Sequence, residues 1–259
     1  MITSMQNAKV KWVRSLQNSR RARRASQAFV VEGVRLFEEA VTASWDVLLV
    51  LYTEAVGERG QQIIQKCAKP DVLIEEVSPQ VMRAVSDTQT PQGVLAVLSM
   101  RSLSFQERLD FVLITDGIRD PGNLGTILRT AASAGVNAVF LSPESVDPFA
   151  PKVVRAAMGA HFRIPIVDLL WCDIEKQIRG NDLRVFLAAT ENGDLFNQID
   201  FKPPTGIIVG SEAEGHSQNA QELADGRVNI PMPGGGESLN VAIAAAILMY
   251  EIVRQRNLS

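Results

Sequence analysis

What most constrains this chain is the character of its apolar runs. Beyond residue 110 they are short and uninterrupted: Phe111–Thr115, Ala138–Leu141, Arg184–Ala189, Gly206–Val209 and Val228–Ile230. A strand with one wet face alternates apolar and polar residues, whereas a strand covered on both faces has no need to. Helical stretches fall between and after these runs, at Leu124–Ala134, Lys152–Met158 and Leu239–Arg254. Strands spaced by helices predict a parallel sheet with helices on its faces, an α/β domain over 110–259.

The first hundred residues repeat the alternation on a smaller scale. Phe29–Val31, Val47–Tyr52, Val72–Ile74 and Gly93–Leu98 read as strands, and Leu36–Val41, Gln61–Ala68 and Pro79–Val85 as helices. The polar stretch at 101–109 reads as a linker. The expected organisation is a smaller α/β domain over 1–100, the linker, and the parallel-sheet domain over 110–259.

Charge is distributed unevenly. Residues 1–28 hold Lys9, Lys11, Arg14, Arg20, Arg21, Arg23 and Arg24 and no acid, so the remaining 231 residues are net −10 against −3 for the whole chain. Val10, Val13 and Leu16 recur at helical spacing within that stretch. A basic helical arm on an acidic body suggests an anionic partner, most often nucleic acid. A merely solvated basic face and an organelle transit peptide are the alternatives. Two cysteines, Cys67 and Cys172, exclude a disulfide scaffold and a Cys-rich zinc site. Two histidines leave little for a His-based metal centre. The longest apolar run, Val241–Tyr250, has ten residues, against the ~20 that span a bilayer. A reducing cytoplasm is the expected compartment.

In parallel sheets ligands bind beyond the carboxyl ends of strands. Three polar or glycine-rich segments follow predicted strands there: Asp116–Thr126, Gly210–Ser217 and Pro231–Asn240. None carries a P-loop, and Gly122-Asn-Leu-Gly125 lacks the third glycine of a dinucleotide fingerprint. No nucleophile elbow accompanies Ser211 or Ser238, and His216 reads as a residue at a helix start. The polar groups left over are Asn123, Arg129, Glu212, Ser238 and Asn240. Each has a bland reading too. Arg129 can be a surface ion-pair partner, and Ser238 can cap the last helix with Asn240 in its first turn.

The sequence resembles the SpoU (TrmH) family of RNA ribose 2′-O-methyltransferases in three ordered motifs. These are Asp120-Pro-Gly-Asn-Leu-Gly-Thr-Ile-Leu-Arg-Thr-Ala-Ala-Ser-Ala-Gly-Val136, Ile207-Ile-Val-Gly-Ser-Glu-Ala-Glu-Gly215 and Ile230-Pro-Met-Pro-Gly-Gly-Gly-Glu-Ser-Leu-Asn-Val241. The N-terminal half resembles the family's substrate-binding domain in Ser4–Lys11 and Phe29–Arg35. That resemblance takes in the basic arm, which argues against a transit peptide. The resemblance implies a C-terminal domain with a trefoil knot, an exception to the rule against threaded chains. It implies S-adenosyl-L-methionine (AdoMet) held near Gly210, Ile230 and Leu239, with Met232 and Ala189 as neighbours. It implies catalytic roles for Arg129, Asn123, Glu212, Ser238 and Asn240, and a homodimer joined through the C-terminal domain.

The reaction implied is methyl transfer to a ribose 2′-hydroxyl of structured RNA, ribosomal RNA rather than tRNA. A tRNA 2′-O-methyltransferase, a non-catalytic RNA-binding assembly factor on the same fold and a nucleotide-dependent metabolic enzyme are the other readings. On this reading the sulfonium and the Arg129 guanidinium meet in one crevice at the rim of the sheet, and removing residues 1–28 weakens RNA binding while sparing AdoMet binding. The last helix, apolar nearly all round, suits burial on every side.

Overall fold

The computed structural model describes residues 1–101, 103–210 and 215–257. The chain forms two compact units: Met1–Arg101 with Asp147–Phe162, and Ser102–Val146 with Arg163–Ser259.

The first unit begins with α1 (Ala8–Asn18) and α2 (Arg20–Ser26), followed by β1 (Ala28–Glu32), α3 (Val34–Thr42), β2 (Val47–Tyr52), α4 (Gly57–Cys67), β3 (Leu73–Glu76), α5 (Pro79–Val85) and β4 (Val94–Ser99). Its sheet runs β1-β4-β2-β3, with β4 antiparallel to β1 and β2, and β3 parallel to β2. Helix α1 starts because the Asn7 side chain accepts from Lys9 N at 2.9 Å. Its Val10, Val13 and Leu16 are fully buried against β1, β2, β4 and α5.

The expected arm is therefore part of a core. Burying three such side chains contributes roughly 5–9 kcal/mol, so deleting residues 1–28 removes structure together with charge. Arg23 makes the same point. It is 4% exposed, and its Nε donates to Asp147 Oδ2 at 2.7 Å while Nη1 donates to the Leu16 and Gln17 carbonyls. Lys9 pairs with Glu75. Lys11, Arg14, Arg20, Arg21 and Arg24 are the exposed basic residues of this stretch.

The second unit comprises β5 (Phe111–Asp116), α6 (Pro121–Ala134) and β6 (Ala138–Leu141). After an excursion into the first unit through α7 (Pro151–Ala157), it continues with β7 (Ile166–Asp168), α8 (Trp171–Gly180), β8 (Arg184–Ala189), β9 (Asp194–Leu195), β10 (Thr205–Gly210), α9 (Gln218–Leu223), β11 (Gly226–Asn229) and α10 (Val241–Asn257). The seven strands run β7-β6-β5-β10-β8-β11-β9, and every pair is parallel. One side of the sheet packs Ile174 and Ile178 of α8 and Ala220 and Leu223 of α9 onto Val112, Phe140, Val185 and Ile208. Helices α6 and α10 pack on each other.

Asp147–Phe162, expected within the second domain, belongs to the first unit. Arg23 holds Asp147. Phe149 packs on Phe29 with ring centroids 4.9 Å apart, and Trp45 meets Phe162 edge to face at 5.1 Å. His161 is buried beside Phe149, and its Nε2 lies 2.7 Å from the Pro148 carbonyl oxygen. Burial pushes the His161 imidazole down to about 4, against smaller opposing pulls from that carbonyl and from Asp147.

Within the single chain, helix α10 leaves Ile243 and Tyr250 51% and 50% exposed. Among the described residues no helix is long and apolar enough to cross a membrane. None of them forms a group of three or more side chains fit to hold a metal ion.

Candidate active site

Strands β8, β10 and β11 are neighbours in register, so their carboxyl ends finish side by side. Residues that follow those ends turn back over the sheet and enclose a cavity of about 550 Å³, a volume typical of small-ligand sites. All five residues expected to hold the cofactor line it: Ala189, Gly210, Ile230, Met232 and Leu239. Ser238 lines it as well.

Gly210 has no substitute here. A Cβ at that position would lie 2.6 Å from His216 Nδ1 and 2.9 Å from Cε1. The missing side chain brings the end of β10 against the His216 ring and leaves bare backbone facing the cavity. Ile230, Met232 and Leu239 supply an apolar wall opposite it.

His216 does more than begin a helix. Its Nε2 donates to the Ala188 carbonyl oxygen at 2.6 Å, and its Nδ1 lies 3.7 Å from Asp116 Oδ2. Among the described residues that buried Nδ1 has no hydrogen-bond partner. Asp116 Oδ2 also accepts Ser217 N at 2.8 Å. Burial alone would raise the Asp116 carboxyl. The His216 ring and the Ser217 backbone and hydroxyl outweigh it and hold the group below the usual carboxylate range. The imidazole thus bonds to the end of β8 and packs against the end of β10, while the neighbouring Ser217 N reaches Asp116 at the end of β5. The imidazole's bond to Ala188 crosses 28 residues of chain, so the sequence around residue 216 gives no sign of it. The turn over 190–192, which adds further wall, does leave a signal. Two residues separate Asn192-Gly193 from the end of β8, with Asn192 in the left-handed region at φ 56°.

Asn123, Arg129 and Asn240 are not among the residues lining the cavity. Asp120 caps α6 by accepting Asn123 N at 2.7 Å. The Asn123 Oδ1 then accepts Asn240 Nδ2 at 3.0 Å, joining the first motif to the third. Asn240, not Ser238, caps the last helix, since its Oδ1 accepts Ala242 N at 2.9 Å. Arg129 is exposed on α6, on the same face as Thr126 and Ser133, and is not a lining residue of the cavity. Six residues separate it from Asn123, about 9 Å along the helix axis. Glu212 lies outside the described residues.

A parallel sheet with a glycine-floored cavity across three strand ends is the architecture of an α/β enzyme that takes a nucleoside-type cofactor. Comparison with known proteins narrows this. The chain belongs to the SpoU rRNA methylase family, whose model matches residues 110–250. Residues 7–96 match the MRM3-like substrate binding domain. The chain is 34% identical to the 23S rRNA (guanosine(2553)-2′-O)-methyltransferase RlmP of Bacillus subtilis, over 97% of this chain and 98% of that protein. It is 31% identical to the 23S rRNA (uridine(2479)-2′-O)-methyltransferase of Streptomyces viridochromogenes, over 98% and 92%. Among solved structures it is similar to the AdoMet-bound rRNA methyltransferase from Sinorhizobium meliloti. The TM-score is 0.88 at 30% identity, covering 98% of this chain and 97% of that one.

Proposed function

We propose that this protein transfers the methyl group of AdoMet to a ribose 2′-hydroxyl of ribosomal RNA. The observation that carries the reading is the cavity at the ends of β8, β10 and β11, with Gly210 as its floor and Ile230, Met232 and Leu239 as its apolar wall. These residues fit a nucleoside with an extended side arm: bare strand-end backbone for its polar edges and aliphatic side chains for its flat ring. AdoMet supplies a methyl already activated by its sulfonium. What is left to the protein is to align an oxygen with that methyl and to assist loss of the hydroxyl proton. Alignment can remove up to ~7–11 kcal/mol of the barrier, and a cavity pinned to three strand ends suits that task.

Arg129 anchors the target phosphate and stabilises negative charge growing on the 2′-oxygen, because a guanidinium keeps its proton and makes a poor base. Its exposure favours action on RNA bound over α6, outside its own chain's cavity. Asn123 and Asn240 are positioning residues that fasten α6 to the loop carrying Ser238 and Leu239. Ser238 faces the cofactor. The protein works as a homodimer in the cytoplasm. The half-exposed Ile243 and Tyr250 on α10, which packs on the helix bearing Arg129, support pairing through the second unit, with the knot implied by the motifs in the same region.

The test is transfer of isotope-labelled methyl from AdoMet to ribosomal RNA, with the product checked for resistance to alkaline cleavage beside the labelled ribose. Labelled, cleavage-resistant RNA is expected. In the Arg129→Ala variant transfer falls by ~10²–10³ with AdoMet affinity unchanged. Absence of transfer to any ribosomal RNA overturns the function, and full transfer by Arg129→Ala overturns the role of Arg129.

A further inference from the structure

The first unit holds a second cavity, also of about 550 Å³, that none of the roles above uses. It lies where β2 and β3 end and β4 begins. Its floor is built from buried groups: Thr53 directly after β2, Val77 directly after β3, Met82 of α5, and Gly93 directly before β4. Gly93 sits at φ 79°, and a Cβ there would meet the Val56 nitrogen at 2.7 Å and the Ala55 carbonyl carbon at 2.9 Å. Only glycine lets the start of β4 press against the turn after β2, and Thr53 N donates to the Gly93 carbonyl at 2.9 Å.

The wall formed by Gln89, Thr90 and Pro91 is also fixed. Glu32 at the end of β1 accepts from the Ser86 and Thr88 hydroxyls and from Asp87 N. Gln92 Oε1 accepts Val34 N, and Arg155 pairs with Asp87. A loop held on both sides of residues 89–91 keeps the cavity open at a set width.

Charge and polarity around it are specific. Glu54, Glu76, Arg83 and the α-ammonium of Met1 are its charged lining groups, a balance of zero in which the two carboxylates supply acceptors at the walls. Among the described residues the side chains of Glu54, Glu76, Arg83, Gln89 and Thr90 have no hydrogen-bond or ion-pair partner. A slot with an aliphatic floor and unpartnered polar groups at its walls suits a flat ring with hydrogen-bonding edges. Two carboxylates accept from amino groups and offer nothing to a carbonyl. Sequence-selective RNA recognition works mainly on unpaired bases that can be turned out of the stack.

We propose that this cavity receives one unpaired nucleobase bearing an exocyclic amine, with Glu54 and Glu76 accepting from the amine and Arg83 at the mouth meeting the RNA backbone. The site rests on the RNA-substrate reading given above and adds to it a base preference. A carboxylate pair on such an edge discriminates by roughly tenfold.

The experiment compares fluorescent single-stranded 10-mers of cytidine and uridine binding to the full chain, by anisotropy at low salt, with AdoMet affinity as the control for folding. The C-rich strand is expected to bind about tenfold tighter. Glu54→Gln/Glu76→Gln removes two negative charges and so raises affinity for both strands, but brings the ratio to near one with AdoMet affinity unchanged. Equal binding of the two strands by the native protein, or a ratio that survives the double substitution, overturns the pocket while leaving RNA binding itself intact. Failure to bind either strand overturns the pocket, while the RNA-substrate reading is decided separately by the methyl-transfer assay on ribosomal RNA.

Discussion

The two units handle their ionisable groups in opposite ways. In the second, His216 lines a cavity and bonds to the end of β8, with Asp116 beside it accepting Ser217 N, so buried polarity serves the site. In the first, Arg23 and Asp147 are sealed from solvent and join α2 to a segment that returns from 124 residues downstream. Buried polar groups thus shape a site in one unit and close a core in the other. A basic cluster in sequence is therefore not a map of a binding surface. Arg23 is drawn from the same run as Arg21, yet only Arg21 is available to a phosphate.

The sharpest break of this comparison is Arg23→Ala. It leaves Asp147 buried and unpaired, which costs about 3–5 kcal/mol, and chemical denaturation should register that loss. Arg21→Ala, at an exposed site, should stay within about 0.5 kcal/mol of the native protein. A small effect at Arg23 would mean that the pair is not sealed.

Next in size is the response to acid. The His161 pKa of about 4 in the folded chain lies below the ~6.5 of an unfolded one. Between those values the unfolded state binds the extra proton, so stability falls as pH drops through that window, by up to about 3 kcal/mol. Asp116 adds to the loss at lower pH, since its depressed carboxyl stabilises the fold only while ionised. Replacing His161 by Phe should flatten the first part of the acid limb, and an unchanged slope in pH-dependent melting would contradict the assignment.

In the second unit, Gly210→Ala drives a methyl into the His216 ring and should raise the Kd for AdoMet by roughly tenfold or more, the usual cost of a poorly placed contact group. His216→Ala alone should raise it a few-fold, by loss of one hydrogen bond. Because the two groups touch, the double variant should bind better than the sum of the single losses allows. Strict additivity in calorimetry would separate them. The smallest effect belongs to the exposed cations. Arg14→Ala/Arg21→Ala should lower the slope of log affinity for RNA against log salt by about one per lost phosphate contact, with AdoMet binding unmoved.

Which features could be read from sequence follows from how local their causes are. Val47–Tyr52, Ala138–Leu141 and Arg184–Ala189 emerge as strands at their expected limits, because burial on both faces writes itself as an unbroken apolar run. The five residues that the family resemblance assigns to the cofactor gather at one cavity. Ile166–Asp168 and Asp194–Leu195 are too short to leave a pattern. Helix α8 buries only Ile174 and Ile178, too sparse a signal to stand out. Arg23, His216 and the cap by Asn240 were hidden for another reason. Their partners are distant in sequence, or their neighbours offered an equally good local explanation.

The position of β10 carries a consequence for the newborn chain. It is hydrogen-bonded on both sides, to β5 and to β8. Until residue 205 has been synthesised, β5 therefore presents one bare edge, an invitation to unwanted pairing. This half must wait for a strand that slots between β5 and β8 like a keystone after both exist, with β11 still to follow on the other side of β8. A nascent polypeptide stalled just before that point should be the form that helper proteins hold on to longest.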